Sequence, residues 1–307
     1  MLDVHDLSIS FSSYTLGLKK KEVCAIRSLD LRIAPGEIMA VVGQSGAGKS
    51  LLAHALLGIL PPNAKVSGSL FFKSRPLTAE RLTDLRGSQI ALIPQSVTYL
   101  NPLLRVGTQV ARAARLSGVS RDETPPVVRR AFARYLLDKE VADWFPFQLS
   151  GGMARRVLTA TATVGKADLL LADEPTNGLD SAAAGEALGH LRELADTGKA
   201  VLLITHDIKA ALQVADKVTV FCAGNSVEVA AAEDFNGHGR LRHPYTKALW
   251  NALPANGFRM AMPPVITSSQ NDGCLFRLYC HKQDSLCGKR LPGLRNTNGG
   301  WVRCHHA

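Results

Sequence analysis

Gly43-Gln44-Ser45-Gly46-Ala47-Gly48-Lys49-Ser50 is a G-x-x-x-x-G-K-S loop, and its reading decides the fold. The run before it, Ile38-Met39-Ala40-Val41-Val42, is short, apolar and partly β-branched, as a buried strand is. The run after it, Leu51-Leu52-Ala53-His54-Ala55-Leu56-Leu57, has helix formers and neither Gly nor Pro. Strand before and helix after is the context that distinguishes a phosphate-binding loop from a glycine-rich turn of no function. The glycines let the backbone wrap phosphates with its N–H groups pointing inward, and the helix N-terminus adds positive potential. In that geometry Lys49 reaches the β- and γ-phosphates and the Ser50 hydroxyl binds Mg²⁺.

The 307 residues suffice for one large domain plus a smaller one, and 46% hydrophobic with 20% charged residues is an ordinary globular composition. No apolar run approaches the ~18 residues of a membrane span. The start, Met1-Leu2-Asp3-Val4-His5-Asp6, lacks a signal peptide's basic-then-apolar pattern, so a cytosolic protein able to dock on a membrane partner is expected. The net charge of +10 is uneven: residues 236–307 hold ten Lys/Arg against Asp272 and Asp284, so +8 falls there. Such a tail suits nucleic acid, anionic headgroups or plain solvation, and no basic stripe interleaved with aromatics singles out nucleic acid.

The chain alternates strand-like and helix-like runs. Residues 1–42 read as strand-rich, 66–94 contain further strand-like runs, including Gln89 to Ile93, 51–60 read as a helix ended by Pro61-Pro62, and 106–160 as mainly helical. Ala167 to Ala172 then reads as a strand, Ser181 to Leu194 as a helix and Ala200 to Ile204 as a strand. This alternation predicts an α/β fold with a mainly parallel sheet covered by helices. After about residue 235 the texture turns to Gly, Pro, His, Asn and Cys, which marks a C-terminal appendage over 236–307.

A phosphate loop alone does not choose among nucleotide hydrolases. Leu169-Leu170-Leu171-Ala172-Asp173-Glu174 narrows the choice: a buried strand ending in Asp173 places a carboxylate near Mg²⁺, and Glu174 can polarise an attacking water. Leu149-Ser150-Gly151-Gly152-Met153 opens a second helix whose free N–H groups suit an anion, which is redundant unless it serves another subunit's nucleotide. His206, in Thr205-His206-Asp207, falls at a strand's C-terminal end, where α/β folds place catalysis, and Gln95 falls at another.

The order of phosphate loop, Gln95, L-S-G-G-M, L-L-L-A-D-E-P, N-G-L-D and T-H-D resembles the ATP-binding-cassette (ABC) ATPases over about residues 1–235, with a helical subdomain near 96–160. The resemblance implies that Gln95 contacts Mg²⁺ and the attacking water and couples to a membrane partner. It makes Leu149, Ser150, Gly151, Gly152 and Met153 the signature loop that closes over ATP held by the opposite subunit. Asn177-Gly178-Leu179-Asp180 match the D-loop, and His206 the switch histidine. Leu100-Asn101-Pro102-Leu103, His243-Pro244-Tyr245-Thr246, Met153 and the terminal cysteines resemble the oligopeptide, dipeptide and nickel importers. That group pairs two ATPase subunits, usually different chains, beneath two membrane permeases fed by an extracytoplasmic binding protein, with no nucleic acid. It thus sits at the cytoplasmic side of the cell (inner) membrane. Three features depart from the pattern. Ala154-Arg155-Arg156 stands where a glutamine is common, Asn177-Gly178 replaces the commoner Thr-Ala, and Lys19 to Lys21 blur the spacing of the adenine-stacking candidates Phe11 and Tyr14.

Cys24 and Cys222 are isolated, whereas Cys274, Cys280, Cys287 and Cys304 cluster as C-x5-C-x6-C-x16-C. In a cytosolic chain that clustering favours a metal site over disulfides. Zinc ligand pairs usually lie about 2–4 residues apart, so the spacing does not choose the metal. The importer resemblance points to a [4Fe–4S] cluster first and zinc second, with His281, His305 and His306 as substitute ligands; packed reduced thiols are the alternative. The whole reads as an ATP- and Mg²⁺-dependent ATPase driving import of a peptide or a nickel complex. A cassette protein acting on nucleic acid or ribosomes is the runner-up.

Overall fold

The strands follow the apolar runs. In chain order they are β1 (Leu2–Tyr14), β2 (Lys20–Ile33), β3 (Ile38–Gly43), β4 (Ala64–Phe72), β5 (Arg75–Pro76), β6 (Ile90–Ile93), β7 (Leu169–Asp173), β8 (Ala200–Thr205), β9 (Lys217–Cys222), β10 (Asn225–Ala231), β11 (Arg295–Thr297) and β12 (Gly300–Val302). The helices are α1 (Lys49–Leu57), α2 (Ala79–Leu85), α3 (Val106–Leu116), α4 (Thr124–Arg134), α5 (Gly151–Thr163), α6 (Ser181–Asp196), α7 (Ile208–Leu212), α8 (Pro244–Asn251) and α9 (Ser285–Lys289). The structure is a computed structural model and describes residues 1–14, 20–44, 46–236, 240–257, 273–297 and 299–307, without the side chains of 13, 14, 20 and 21. Ser45 of the phosphate loop and Lys19 lie outside the described residues, as does the Tyr14 side chain. Two compact units result: Met1–Ile33, Met39–Leu77 and Thr205–Ala307 form one, Ala34–Ile38 and Thr78–Ile204 the other.

In the first unit an antiparallel sheet runs β2-β1-β4-β5. Leu2, Val4, Leu7 and Ile9 of β1 are buried. The step from Val4 to Leu7 breaks the period of two, and a bulge there, with Asp6 at φ 47°, keeps all four on the core side. A second set of strands follows the order β3-β9-β10-β12-β11. Here β3 lies parallel to β9, opposing Gly43 to Phe221, while β9 and β10 form a hairpin over Ala223-Gly224, both at positive φ. Residues beyond 236 are not set apart as a unit, since β12 pairs with β10 through Glu228↔Val302.

In the second unit β6, β7 and β8 pair in parallel, and every residue of β7 is buried. Continuous Leu/Val/Ile runs are what a strand covered on both faces requires. Helices α3, α4 and α5 pack around Val106, Val110, Phe132, Tyr135, Val157 and Leu158. One sequence reading shifts. The helix expected to run to residue 60 ends at Leu57, because Gly58 caps it at φ 62° and bonds back to Ala55 O. Between the strand-like runs of 66–94, Ala79–Leu85 is helical: Thr78 Oγ1 accepts from Arg81 N at 3.3 Å, and Ala-Glu-Arg-Leu are helix formers.

Candidate functional site

In the first unit β3 delivers the phosphate loop to the start of α1. Gly43 is there because a Cβ would lie 2.3 Å from the Phe221 carbonyl oxygen, and Gly48 because φ is 91° and a Cβ would lie 2.8 Å from Ala25 O. Gln44, Gly46 and Ala47 form the turn between them. Lys49 is buried, and its Nζ donates to Gly43 O (2.8 Å) and Gln44 O (2.9 Å), so the ammonium is already folded back over the loop. Ser50 follows in the first turn of α1, half-buried. His206 is exposed just after β8, where Thr205 Oγ1 accepts from Asp207 N and Asp207 caps α7.

In the second unit Asp173 ends β7 and Glu174 follows it, both buried. Glu174 has φ 48°, its N–H donates to Ile204 O (2.8 Å), and its carbonyl accepts from Asn177 N (3.1 Å). Arg155 Nη1 approaches the same carbonyl at 3.5 Å. The position where the sequence departs from the commoner glutamine therefore touches the turn that carries Glu174. Gln95 is exposed just after β6. Ser150 caps α5, its Oγ accepting from Met153 N at 3.2 Å, with Leu149 half-buried before it. Gly151 and Gly152 have ordinary φ, and no described atom lies within 4 Å of where a Cβ would stand. Neither backbone geometry nor packing inside the chain requires glycine at either place. Asp180 caps α6, accepting from Ala183 N at 2.9 Å, and Gly178 turns the chain before it at φ 72°.

The Ser50 hydroxyl in the first unit, and the Gln95 amide and Asp173 carboxylate in the second, each offer hard oxygen, the donor type that Mg²⁺ takes. The terminal cysteines were expected to share a site, and Cys274, Cys280, Cys287 and Cys304 do line one cavity, with His243, His305 and His306 but not His281. All four are free thiols. Burial, with the neighbouring cysteines adding to it, pushes the Cys274 thiol up to about 11, an environment that a bound cation would reverse. The tightest donor group among the described residues is Asp284, Cys287 and His306, within 4.8 Å of one another. Cys287 Sγ lies 3.5 Å from His306 Nε2, and Asp284 caps α9 through the amides of Leu286 and Cys287. His243 completes the lining. It is buried, its Nδ1 accepts from Tyr245 N at 3.0 Å, and burial pushes it down to about 3, so the neutral ring carries its proton on Nε2. That Nε2 is buried with no partner among the described residues, a donor that fits a sulfur-rich occupant.

The sequence pointed to neither Asp284 nor His243 as a lining group. The spacing Asp284-x-x-Cys287 was readable as a helix cap over a cysteine, but nothing local marks His243 as buried. Arg155 was visible only as an anomaly.

Comparison with known proteins gives one account. A family model described as ABC transporter matches residues 26–177. The dipeptide transport ATP-binding protein DppD of Bacillus subtilis is 34% identical, covering 95% of this chain and 90% of that one. The oligopeptide transport ATP-binding proteins OppD of Escherichia coli and Salmonella typhimurium are 34% and 33% identical, covering 99% and 95% of this chain and 92% and 89% of theirs. Among solved structures, the dimeric ABC transporter cassette MJ0796 shares the fold with a TM-score of 0.66 at 24% identity, over 76% of this chain and 99% of its own.

Proposed function

This chain belongs to the ABC transporter ATPases, in the group of oligopeptide and dipeptide transport ATP-binding proteins, and from that premise we propose that its ATP hydrolysis drives peptide uptake. The observation that carries the peptide reading is the reach of the likeness to DppD. It runs over 95% of the chain, well past the 26–177 that the general cassette family matches. A nickel complex is the other solute of the resembling group; no relative reported above is named for it.

Within this reading Lys49 holds the β- and γ-phosphates, and the loop from Gly43 through Gln44, Ser45, Gly46, Ala47 and Gly48 presents its amides to them. Ser50, Gln95 and Asp173 would hold Mg²⁺, which when bound neutralises phosphate charge. Glu174 accepts the proton of the attacking water, and His206 is the switch histidine. Ser150, Gly151 and Gly152 present the start of α5 to ATP held by a second ATPase subunit. The open space where their Cβ atoms would stand supports this, since glycine there serves something outside the chain. We assign residues 1–235 to the cassette, with its helical subdomain at 96–160, and 236–307 to an importer-type segment that joins the first unit through β12 on β10.

The partners we infer are a second, different ATPase subunit, two integral membrane permeases and an extracytoplasmic binding protein, with the chain peripheral on the cytoplasmic face of the cell membrane. No described helix is long and apolar enough to cross a membrane. Val97, Tyr99, Leu103, Leu104, Trp144 and Phe147 are exposed in the second unit, and this apolar set after Gln95 suits docking against a permease. For the four cysteines, a [4Fe–4S] cluster is favoured over zinc. Four sulfurs on one zinc lie about 3.8 Å apart by tetrahedral geometry, whereas the compact donor group includes only one of the four. All four cysteines line one cavity, and the preference for the cluster comes from the importer resemblance.

The nucleic-acid alternative loses part of its basis. Arg303 is buried and Arg242 half-buried, each in an ion pair rather than displayed, and both are among the basic residues of 236–307. The reading is tested by affinity purification of the tagged chain from detergent-solubilised membranes. Two co-purifying integral membrane proteins support it; bound nucleic acid or ribosomes with no membrane protein would contradict it.

A further inference from the structure

His243-Pro244-Tyr245-Thr246 stands almost 200 residues after the phosphate loop, and ATP hydrolysis as described leaves it without a task. In the first unit Pro244 starts α8, and Tyr245 behind it is among the largest fully buried side chains, at 1% exposure. Its hydroxyl donates to Phe221 O at 3.5 Å, and Phe221 is the residue that opposes Gly43 across β3 and β9. That carbonyl oxygen is also the atom that a Cβ on Gly43 would meet at 2.3 Å, so the hydroxyl and the start of the loop share one backbone group. Gly43 and Gln44, the next residue of the loop, are also the ones whose carbonyls hold Lys49 Nζ. The opposite side of the Tyr245 ring meets Phe276 edge-on, 5.4 Å between centroids at 73°. Phe276 in turn lines the cysteine cavity.

We propose that Tyr245 is a positioning residue for ATP binding: its hydroxyl fixes the Gly43–Gln44 start of the phosphate loop, and Phe276 fixes Tyr245 from the cysteine side. Phosphates are read mainly by backbone N–H directions, which a few dihedral angles set. A buried strut at the first of those dihedrals orders the loop before ATP arrives, and lowers the ordering cost of binding. The C-terminal segment thereby acts on the nucleotide site through packing alone. The proposal concerns ATP affinity, so it stands whether the transported solute is a peptide or a nickel complex.

The test uses the full chain. Tyr245→Phe deletes only the hydroxyl. The dissociation constant for ATP should rise about five-fold, as for loss of one neutral hydrogen bond, while kcat in the membrane complex stays within about two-fold. Amide exchange over residues 43–49 of the nucleotide-free chain should quicken. Phe72→Leu, a buried core change in β4 of the same unit, controls for general loosening: it should lower the melting temperature without moving ATP affinity or exchange at 43–49. Unchanged affinity and exchange in Tyr245→Phe would overturn the proposal, and so would equal changes in Phe72→Leu. If Tyr245→Phe does not fold, Phe276→Leu, which keeps the hydroxyl but removes the ring that backs it, must quicken exchange at 43–49. Unaltered exchange there would overturn the proposal.

Discussion

Glu174 leaves β7 with φ 48°, a conformation that costs a non-glycine residue about 1 kcal/mol, and three bonds hold it there. Its N–H goes to Ile204 O, while its carbonyl takes Asn177 N–H and Arg155 Nη1. Strain kept at a buried acidic residue beside Asp173 is consistent with the general-base role proposed for Glu174. Glu174→Gln should therefore leave ATP binding intact and cut steady-state hydrolysis by about 10²–10⁴-fold. Nucleotide binding and phosphate release measured on the same preparation check both halves. The side chains proposed for catalysis could be picked out as candidates because their motifs are contiguous: G-A-G-K-S, L-A-D-E and T-H-D each carry their strand or helix context with them. Arg155, His243 and Tyr245 were not legible in their roles, because what each touches comes from a distant part of the sequence or through a turn no local pattern announces.

Among the elements, α5 and the strands beyond residue 290 carry the sharpest consequences. The start of α5 is capped by Ser150 and left open at Gly151 and Gly152. Ser150→Arg should spare ATP binding by the chain alone and block ATP-driven pairing with a second ATPase subunit, read by light scattering or crosslinking. Weakened ATP binding by the single chain would instead place Ser150 in its own site. At the other end, Glu228 is fully buried and accepts from the backbone N–H groups of Arg242 and His243, each at 2.8 Å, and from Arg242 Nη1. Arg242 also pairs with Asp234 at 3.1 Å. Glu228→Ala leaves that arginine short of one carboxylate and should cost about 3 kcal/mol of stability. Limited proteolysis should then cut beyond residue 236 first. Asp143→Ala, at an exposed pair with Arg105, should barely move the denaturation midpoint. Helix and strand positions were readable where periodicity was strong, as in β7, β8 and α6. The end of α1 was misjudged, where a glycine cap outweighed the apolar pattern, and α2 was not singled out between the strand-like runs of 66–94. The attachment of β12 to β10 was invisible, since three-residue strands carry no period.

At the scale of the whole molecule the chain combines an ATPase core with a C-terminal segment whose cysteines face one cavity. Anaerobically purified protein should contain iron and acid-labile sulfide near four each per chain, by the stoichiometry of a [4Fe–4S] cluster. Its removal should loosen the cysteine region while sparing the cassette, as ligation and folding are coupled. Stoichiometric zinc in a colourless preparation would favour the tetrahedral alternative, and four freely alkylated thiols with neither metal would reject both. The α/β class was legible because alternating apolar runs and a phosphate loop leave few other arrangements. The transported solute was not, because none of this chain's described residues forms its binding pocket in the proposed assembly. The most direct measurement is uptake of labelled peptide into proteoliposomes that hold this chain with its co-purified membrane partners and the binding protein. The account predicts accumulation that requires ATP on the side of this chain and stops with Glu174→Gln. Peptide uptake that proceeds equally without ATP, or ATP hydrolysis that no peptide-loaded binding protein stimulates, would contradict it.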